Sequence, residues 1–154
     1  TSSTEMKICI NDNVNVASNC KGLIDMLHLG QTDTDPDVAE KLIDQNIQIG
    51  FSITNENQLG NIPNCVNYLG VGPIFPTGSK IDASEPMGSN TLKEIINKTN
   101  LPVVAIGGIS TENICDLFKL GVSGVAVISA ILNENNPIEN FQKIKENIIK
   151  GSKK

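Results

Sequence analysis

Two acidic residues, Asp12 and Asp33, follow apolar stretches of the chain and are candidates for binding a metal ion. Asp12 ends the segment IND at residues 10–12, and Asp33 lies within QTDTD at residues 31–35. If the apolar stretches are neighbouring parallel strands, both carboxylates lie at one edge of the sheet, within reach of a single cation. Mg²⁺ is typically held by one or two carboxylates together with waters and substrate phosphates. The alternative is that Asp and Asn simply begin turns after strands.

Two segments rich in small residues, AIGGIS at 105–110 and SGVAVISAI at 123–131, are candidates for binding phosphate. Glycine lets the backbone approach a ligand closely, and the N–H groups of Gly107 and Gly108 can face an anion. In (β/α)8 barrels the loops after the last two strands commonly form a phosphate site. A tight turn explains one GG pair equally well, but the two loops together favour the phosphate interpretation.

The segment GVGPIFPTGSK at 70–80 ends in two hydroxyls and one ammonium group, which belong to Thr77, Ser79 and Lys80. Hydroxyl donors and an ammonium group suit a phosphate or a diphosphate. All 12 basic residues of the chain are lysines, so no arginine fork is available for this task. A solvated loop of ordinary turn residues is the alternative for this segment taken alone.

His28 is the single histidine of the chain and lies in an apolar segment, two residues before Gly30. A packed structural histidine and a functional one fit this position equally well, so no catalytic role is assigned to it. The residues do not support a serine-type triad or a metal site of clustered His and Cys.

Composition and charge exclude several classes of protein. A chain of 154 residues fits a single domain over residues 1–154. The net charge of −5 and the lack of a basic stripe argue against a nucleic-acid partner. No apolar stretch reaches the roughly 18 residues of a membrane span, so no membrane partner is expected.

The cysteines and the N-terminal residues indicate a cellular compartment. The four cysteines are scattered without a C-x-x-C motif, and their apolar surroundings predict buried free thiols. The N-terminal residues TSSTEMK do not resemble a signal peptide. We therefore expect a reducing, cytoplasmic location.

The elements that must position these side chains alternate regularly between strand and helix patterns. Strands are predicted at residues 6–12, 23–30, 47–53, 65–75, 101–109 and 122–131. Helices are predicted at residues 14–22, 35–46, 89–99, 110–121 and 136–150, with a short helix or a loop at 55–64. Pro36 suits a first helical turn, a Ser or Asn cap is expected at the start of 89–99, and Gly121 is expected to stop a helix.

This alternation predicts an α/β fold with a parallel sheet. The strands are continuously apolar, as expected when helices cover both faces. In a doubly wound sheet the ligand contacts cluster at a switch point, whereas here polar residues follow all six predicted strands. That distribution favours a (β/α)8 TIM barrel, of which the chain supplies about six βα units. The two N-terminal units of the barrel are thus expected to be missing from the chain.

Six segments, in their order and spacing, resemble the thiamine-phosphate synthase (thiamine-phosphate pyrophosphorylase) family: IND, HLGQTD, IGFS, YLGVGPIFPTGSK, VVAIGGI and GVAVISAI. The similarity runs from about residue 8 to residue 132. The resemblance implies a Mg²⁺-dependent transferase of thiamine biosynthesis. Such an enzyme condenses hydroxymethylpyrimidine diphosphate with thiazole phosphate and releases pyrophosphate.

The resemblance also implies roles for individual residues. Asp12 and Asp33 would bind Mg²⁺. Asn11, Ser52 and Lys80 would contact the pyrimidine diphosphate, with Ser52 and Lys80 taking part in catalysis. The residues that would hold the thiazole phosphate are Thr77, Gly78, Ser79, Gly108, Ile128 and Ser129. Mg²⁺ and Lys80 would stabilise the charge on the leaving diphosphate, so no strong base is required.

One motif of the resembled family, Q-x-R-x-K, is absent together with the two N-terminal units. We therefore expect the isolated chain to have weak or no activity and limited stability, and a fused N-terminal segment to restore turnover. An open sheet also exposes strand edges that a closed barrel pairs. The sequence leaves open whether copies of the chain form a homo-oligomer.

Two alternatives to the synthase remain. A thiazole tautomerase shares the fold but isomerises one substrate with the help of a histidine, and IGFSITNEN contains none. A truncated, non-catalytic phosphate-binding barrel fragment would explain the absent motif. Retention of Asp12 and Asp33 argues against both alternatives, and Lys80 argues further against the second. Small-molecule substrates are the expected partners.

Overall fold

The computed structural model of the protein describes residues 6–78, 85–132 and 136–152. The strands are β1 (Cys9–Asn11), β2 (Met26–Leu29), β3 (Gln48–Ile53), β4 (Val66–Val71), β5 (Val103–Ile106) and β6 (Gly124–Ala126). The α-helices are α1 (Val14–Asn19), α2 (Pro36–Ala39), α3 (Gly88–Lys98), α4 (Ile114–Leu120), α5 (Ser129–Leu132) and α6 (Pro137–Ser152). A 3₁₀ helix at Glu56–Asn61 lies between β3 and β4.

The six strands form one sheet in the order of the sequence. The pairs β1/β2, β2/β3 and β5/β6 are parallel. Their register places Asn11 beside His28, and His28 beside Gly50. Parallel strands in sequence order, joined by helical segments, are the repeating βα units of a barrel. The predicted α/β class, with about six parallel βα units, is confirmed.

The chain divides into two compact units. Unit 1 comprises Thr1–Ser52 and Asn61–Leu69, and unit 2 comprises Ile53–Gly60 and Gly70–Lys154. The core of unit 1 is built on fully buried aliphatic side chains, which include Leu27, Leu29, Ile49 and Leu69. The core of unit 2 is similar and includes Leu92, Ile95, Ile114 and Leu117. Each such side chain contributes about 1.5–3 kcal/mol when it is removed from water. The single-domain organisation stays a prediction.

Helix α2 is shorter than predicted, since the pattern indicated a helix over residues 35–46. Asp35 caps its first turn by accepting a hydrogen bond from the Asp37 N–H, and Pro36 occupies the first turn as expected. Beyond Glu40 the N–H groups of Lys41 and Leu42 bond three residues back rather than four. The helix therefore ends, and the following turns bring Ile43 into the core.

Two further boundaries differ from the prediction. Helix α3 has no side-chain cap, so the expected Ser or Asn cap is wrong. Instead, the N–H groups of Met87 and Gly88 donate to the carbonyls of Pro73 and Ile74. The strand predicted over 122–131 ends at Ala126, because the Ile128 carbonyl accepts from two N–H groups of the following short helix, α5.

Helices α4 and α6 pack closely on each other in unit 2. Helix α4 ends at Gly121, whose φ of 103° is left-handed, so the predicted glycine stop is confirmed. A Cβ on Gly151 of α6 would lie 2.4 Å from the Cys115 carbonyl oxygen of α4. This close approach needs a glycine at the contact.

All four cysteines are free thiols, as predicted. The prediction that they are buried is wrong, because Cys9 is exposed and the other three are only half-buried. Cys9 belongs to a three-residue strand that is exposed at both ends, so its apolar neighbours in sequence do not cover it. Among the helices of the described residues, none has the length and apolar character needed to cross a membrane.

Candidate functional site

The predicted site residues fall into two groups, one in each unit. The unit 1 cluster consists of Asn11, Asp12, Asp33 and Ser52. The described members of the second group, the unit 2 cluster, are Thr77, Gly78, Gly108, Ile128 and Ser129. Ser79 and Lys80 lie outside the described residues.

Asp12 occupies a tightly held turn after β1. Its φ is 65°, and it is the one non-glycine residue with positive φ in the described part of the chain. Its N–H donates to the His28 carbonyl at 2.8 Å, and the next N–H, of Asn13, donates to the Asn11 carbonyl at 2.8 Å. Asn13 also caps α1, accepting from the Val16 N–H at 3.0 Å. Asp tolerates this conformation better than most residues, and such strain is concentrated at functional sites.

Asp33 is fixed in the turn after β2. Its Oδ2 accepts a hydrogen bond from the Gly30 N–H at 2.6 Å, and its own N–H donates to the Gly30 carbonyl at 3.3 Å. A charge-assisted bond of this kind is stronger than a neutral one. The carboxylate is therefore held in place before any ligand arrives.

The donor set of Asp12 and Asp33 fits a hard cation such as Mg²⁺. The two residues follow β1 and β2, which are adjacent parallel strands, and both side chains are at least partly exposed. Carboxylate oxygens are the ligands that Mg²⁺ prefers. Whether one ion bridges the two carboxylates stays a prediction.

A second acidic group in unit 1 is less suited to Mg²⁺. The ligand atoms of Asp37, Glu40 and Cys65 lie within 4.8 Å of one another. The Cys65 thiol donates a hydrogen bond to Asp37 Oδ1 at 3.4 Å. A thiol is a soft metal ligand and suits other metals better than Mg²⁺.

Ser52 is hydrogen-bonded to two side chains: His28 on strand β2 and Gln31 in the turn that follows β2. Its Oγ lies 2.8 Å from His28 Nε2, and its carbonyl accepts from Gln31 Nε2 at 2.7 Å. The other imidazole nitrogen, Nδ1, lies 3.1 Å from the Tyr68 hydroxyl of β4. A Cβ on Gly50 would lie 2.1 Å from Tyr68 Cζ and 2.5 Å from His28 Nδ1. Glycine at position 50 is thus what allows the two rings to meet.

Burial favours the uncharged forms of His28 and Tyr68. Removal from water lowers the pKa of His28, and the negative charge of Asp33 opposes this by raising it. Burial likewise raises the pKa of the Tyr68 hydroxyl well above its usual value. Both side chains therefore act as neutral hydrogen-bonding groups at pH 7.

In unit 2, the segment after β4 lies against the end of β5. The N–H groups of Ile74 and Phe75 donate to the carbonyls of Ile106 and Gly107 at 2.9 and 3.1 Å. A Cβ on Gly107 would lie 2.5 Å from Pro73 Cβ. The sequence predicted that the GG pair admits a ligand. The structure shows that Gly107 admits the neighbouring loop, and ligand contact stays a prediction.

Asn113 holds the loop that contains Gly108. Its Oδ1 accepts from the Ser110 N–H at 2.9 Å, and its Nδ2 donates to the Gly108 carbonyl at 3.0 Å. Asn147 of α6 supports the same loop by donating to the Thr111 carbonyl at 2.7 Å. The loop is therefore fixed on both sides.

Ile128 and Ser129 stand at the start of α5. Ile128 is 62% exposed, and its carbonyl accepts from the N–H groups of Ile131 and Leu132. The buried Asn140 of α6 donates to the Ile131 carbonyl at 3.3 Å. An amide of α6 thus anchors this segment, as another anchors the loop after β5.

His28, Tyr68 and Asn113 were not among the predicted site residues. His28 contacts Ser52, Asn113 contacts Gly108, and Tyr68 contacts His28. Two sequence features could have pointed to these residues: His28 lies near the end of a predicted strand, and Tyr68 is the single tyrosine of the chain. Asn113 carried the usual signal of a residue that precedes a helix.

Comparisons with known proteins agree with the resemblance seen in the sequence. A family model described as "Thiamine monophosphate synthase" matches residues 1–131. A thiamine-phosphate synthase of Lactococcus lactis subsp. lactis is 39% identical over 140 residues, which are 90% of this chain and 64% of that protein. One of Methanococcus vannielii is 41% identical over 142 residues, covering 92% of this chain and 67% of that protein.

A solved structure is also similar. The thiamine phosphate pyrophosphorylase from Pyrococcus furiosus superimposes with a TM-score of 0.82 at 30% identity, over 93% of this chain and 67% of that one. The chain spans slightly less than two thirds of the length of the Lactococcus relative, 64%.

Proposed function

Because the chain belongs to the thiamine monophosphate synthase family, we propose that the protein is a transferase that joins hydroxymethylpyrimidine diphosphate to thiazole phosphate. The bond between the pyrimidine methylene carbon and the diphosphate breaks, and the thiazole nitrogen bonds to that carbon. The products are thiamine phosphate and pyrophosphate. The observation that carries the proposal is the position of Asp12 and Asp33 after two adjacent parallel strands.

In this proposal the unit 1 cluster binds the pyrimidine diphosphate. Asp12 and Asp33 would hold Mg²⁺, which when bound supplies positive charge to the departing diphosphate. Asn11 and Ser52 would contact the same substrate through their amide and hydroxyl groups. Lys80 would complete the charge stabilisation and, with Ser52, take part in catalysis.

The unit 2 cluster would hold the thiazole phosphate. The residues are Thr77, Gly78, Ser79, Gly108, Ile128 and Ser129. The fixed loop around Gly108 supports this role, because a pre-organised backbone binds an anion without first being ordered. The partners are small molecules, and a cytoplasmic location belongs to the proposal because the four cysteines are free thiols.

The test measures thiamine phosphate formed from both substrates with Mg²⁺, in wild type, Asp12→Asn and Asp33→Asn. A matched control is Asp116→Asn, which removes an exposed carboxylate of α4 that pairs with Lys119. We expect kcat/KM to fall about 10- to 100-fold in the two site variants, because a charged ligand contact is lost. The control should match wild type.

Calorimetry with Mg²⁺ and pyrophosphate gives a second measurement that needs no turnover. Affinity should fall by a similar factor in Asp12→Asn and Asp33→Asn, and stay unchanged in Asp116→Asn. Equal affinity in all three variants would reject the metal assignment. Isomerisation of the thiazole without consumption of the pyrimidine diphosphate would instead establish a tautomerase.

A further inference from the structure

We propose that Tyr68 and His28 are positioning residues that orient the Ser52 hydroxyl so that its hydrogen points away from the imidazole, toward a bound anion. This proposal rests on the proposed function, in which Ser52 contacts the pyrimidine diphosphate. It assigns a role to His28 and Tyr68, which the function has not used so far.

The three side chains form a continuous chain of contacts across three strands. The hydroxyl oxygen of Tyr68 on β4 lies 3.1 Å from Nδ1 of His28 on β2, and Nε2 of His28 lies 2.8 Å from Oγ of Ser52 on β3. The rings of His28 and Tyr68 lie at a centroid distance of 5.5 Å over the space left by Gly50. The backbone of Ser52 is held independently by Gln31. The hydroxyl of Ser52 is therefore placed by this chain of contacts.

The direction of the hydrogen bonds follows from what each group can donate. Tyr68 has one hydroxyl hydrogen and two neighbours, His28 Nδ1 at 3.1 Å and Cys9 Sγ at 3.9 Å. The imidazole nitrogen is nearer and is the stronger acceptor, while the Cys9 thiol donates to the Ile10 carbonyl. Tyr68 thus donates to Nδ1, which places the imidazole hydrogen on Nε2.

An Nε2–H group donates to Ser52 Oγ and leaves the serine hydrogen for another acceptor. A diphosphate oxygen is an acceptor only, so it needs that hydrogen. The doubly protonated imidazole also carries a hydrogen on Nε2, so the direction at Ser52 is the same in both forms. Only the neutral Nδ1–H tautomer reverses it, and would make His28 a hydrogen-bond acceptor and base toward Ser52.

The tautomer can be measured directly because His28 is the single histidine of the chain. Long-range ¹H–¹⁵N correlation spectra of ¹⁵N-labelled protein at about pH 8 distinguish the two ring nitrogens. We expect the Nε2–H tautomer in wild type and a mixture in Tyr68→Phe, which has lost the donor to Nδ1. Cys9→Ala, a change beside Tyr68 but outside the chain of contacts, should keep the wild-type tautomer.

A predominant Nδ1–H tautomer in wild type would overturn the proposal, and so would an unchanged tautomer in Tyr68→Phe. Neither measurement depends on catalysis. If the Nε2–H tautomer is observed but the protein does not consume pyrimidine diphosphate, the proposed direction of the hydrogen bonds stands and only the proposed function is rejected.

A double-mutant cycle tests whether the orientation serves the substrate. Tyr68→Phe should raise the KM for the pyrimidine diphosphate about 2- to 10-fold, the range for one misdirected hydrogen bond, and leave the KM for thiazole phosphate unchanged. In the Ser52→Ala background the same change should have no effect on KM. An equal loss in both backgrounds would show a purely structural role for Tyr68 and overturn the proposal.

Discussion

At the scale of single residues, the two clusters are held by different kinds of contact. In unit 1, side chains fix one another, as His28 fixes Ser52. In unit 2, backbone carbonyls and side-chain amides fix a glycine-containing loop, as Asn113 fixes Gly108. The unit 1 cluster is therefore sensitive to the chemistry of its side chains, whereas the loop of the unit 2 cluster is sensitive to a Cβ added at Gly107 or Gly108.

Cys65 provides a residue-scale prediction about charge. Burial, and then the carboxylates of Asp37 and Glu40, raise the pKa of Cys65 to about 11 from 9.0. Only the thiolate reacts, so at pH 8 we expect Cys65 to be alkylated about 100-fold more slowly than an unperturbed thiol. Asp37→Asn removes one negative charge and should increase the rate several-fold, as measured by mass spectrometry of the Cys65 peptide after iodoacetamide treatment.

Asp116→Asn is the control for that measurement, because it removes an exposed carboxylate of unit 2. Its Cys65 peptide should react at the wild-type rate. A rate for Asp37→Asn that equals wild type would mean that burial alone suppresses the thiolate, and the role of the carboxylate would be wrong.

At the scale of elements, the sequence predicts the order and type of the strands and helices better than the residues at which they end. Continuous apolar runs mark buried strands: β3 matches its predicted range of 47–53 to within one residue, and β4 begins as predicted but ends at Val71 instead of residue 75. The end of α2 depends on hydrogen bonds within the local backbone, whereas the start of α3 depends on hydrogen bonds to a distant part of the chain. The α3 donors reach the carbonyls of Pro73 and Ile74, which no pattern within the helix reveals.

The candidate site could be predicted from the sequence only in part. Strand ends are local features, so the sequence could place Asp12 and Asp33 at one edge of the sheet. The contact between His28 and Tyr68 joins residues 40 positions apart, and it depends on the register of β2 against β3. Single-sequence patterns carry no information about which side chains meet across strands.

Gly107 gives an element-scale prediction for the loop after β5. Gly107→Ala adds a Cβ at φ 92°, 2.5 Å from Pro73 Cβ, so both the backbone conformation and the packing are strained. Gly22→Ala has a similar φ, 69°, but open space, and should cost only the left-handed backbone energy of about 1–2 kcal/mol. We expect Gly107→Ala to cost about 1–3 kcal/mol more than Gly22→Ala in urea unfolding.

Gly60→Ala completes this set of substitutions, since Gly60 has open space and no left-handed φ. It should leave the free energy of unfolding within about 0.5 kcal/mol of wild type or increase it slightly. If Gly107→Ala is no more destabilising than Gly22→Ala, the loop around Pro73 yields readily, and the close packing of β5 against it does not constrain the unit 2 cluster.

At the scale of the whole molecule, two strands pass from one compact unit into the other. β3 has Gln48–Ser52 in unit 1 and Ile53 in unit 2, and β4 has Val66–Leu69 in unit 1 and Gly70–Val71 in unit 2. Because each of these strands is a continuous segment of backbone, unfolding of its part in one unit also destabilises its part in the other unit. We therefore predict that the chain unfolds as a single cooperative domain.

Two core substitutions, one in each unit, test this cooperativity. Leu27→Ala and Leu117→Ala each truncate a side chain that is at most 1% exposed, and each should cost about 2–5 kcal/mol. Leu42→Ala, at 52% exposure, is the matched control and should change stability by less than about 0.5 kcal/mol.

Hydrogen exchange in urea, followed by mass spectrometry, reports peptides of β2 and α4 separately. In one cooperative domain each core substitution lowers the unfolding midpoint of both peptides equally, because neither unit remains folded without the other. A Leu27→Ala protein in which only the β2 peptide loses protection would instead show two domains that fold independently.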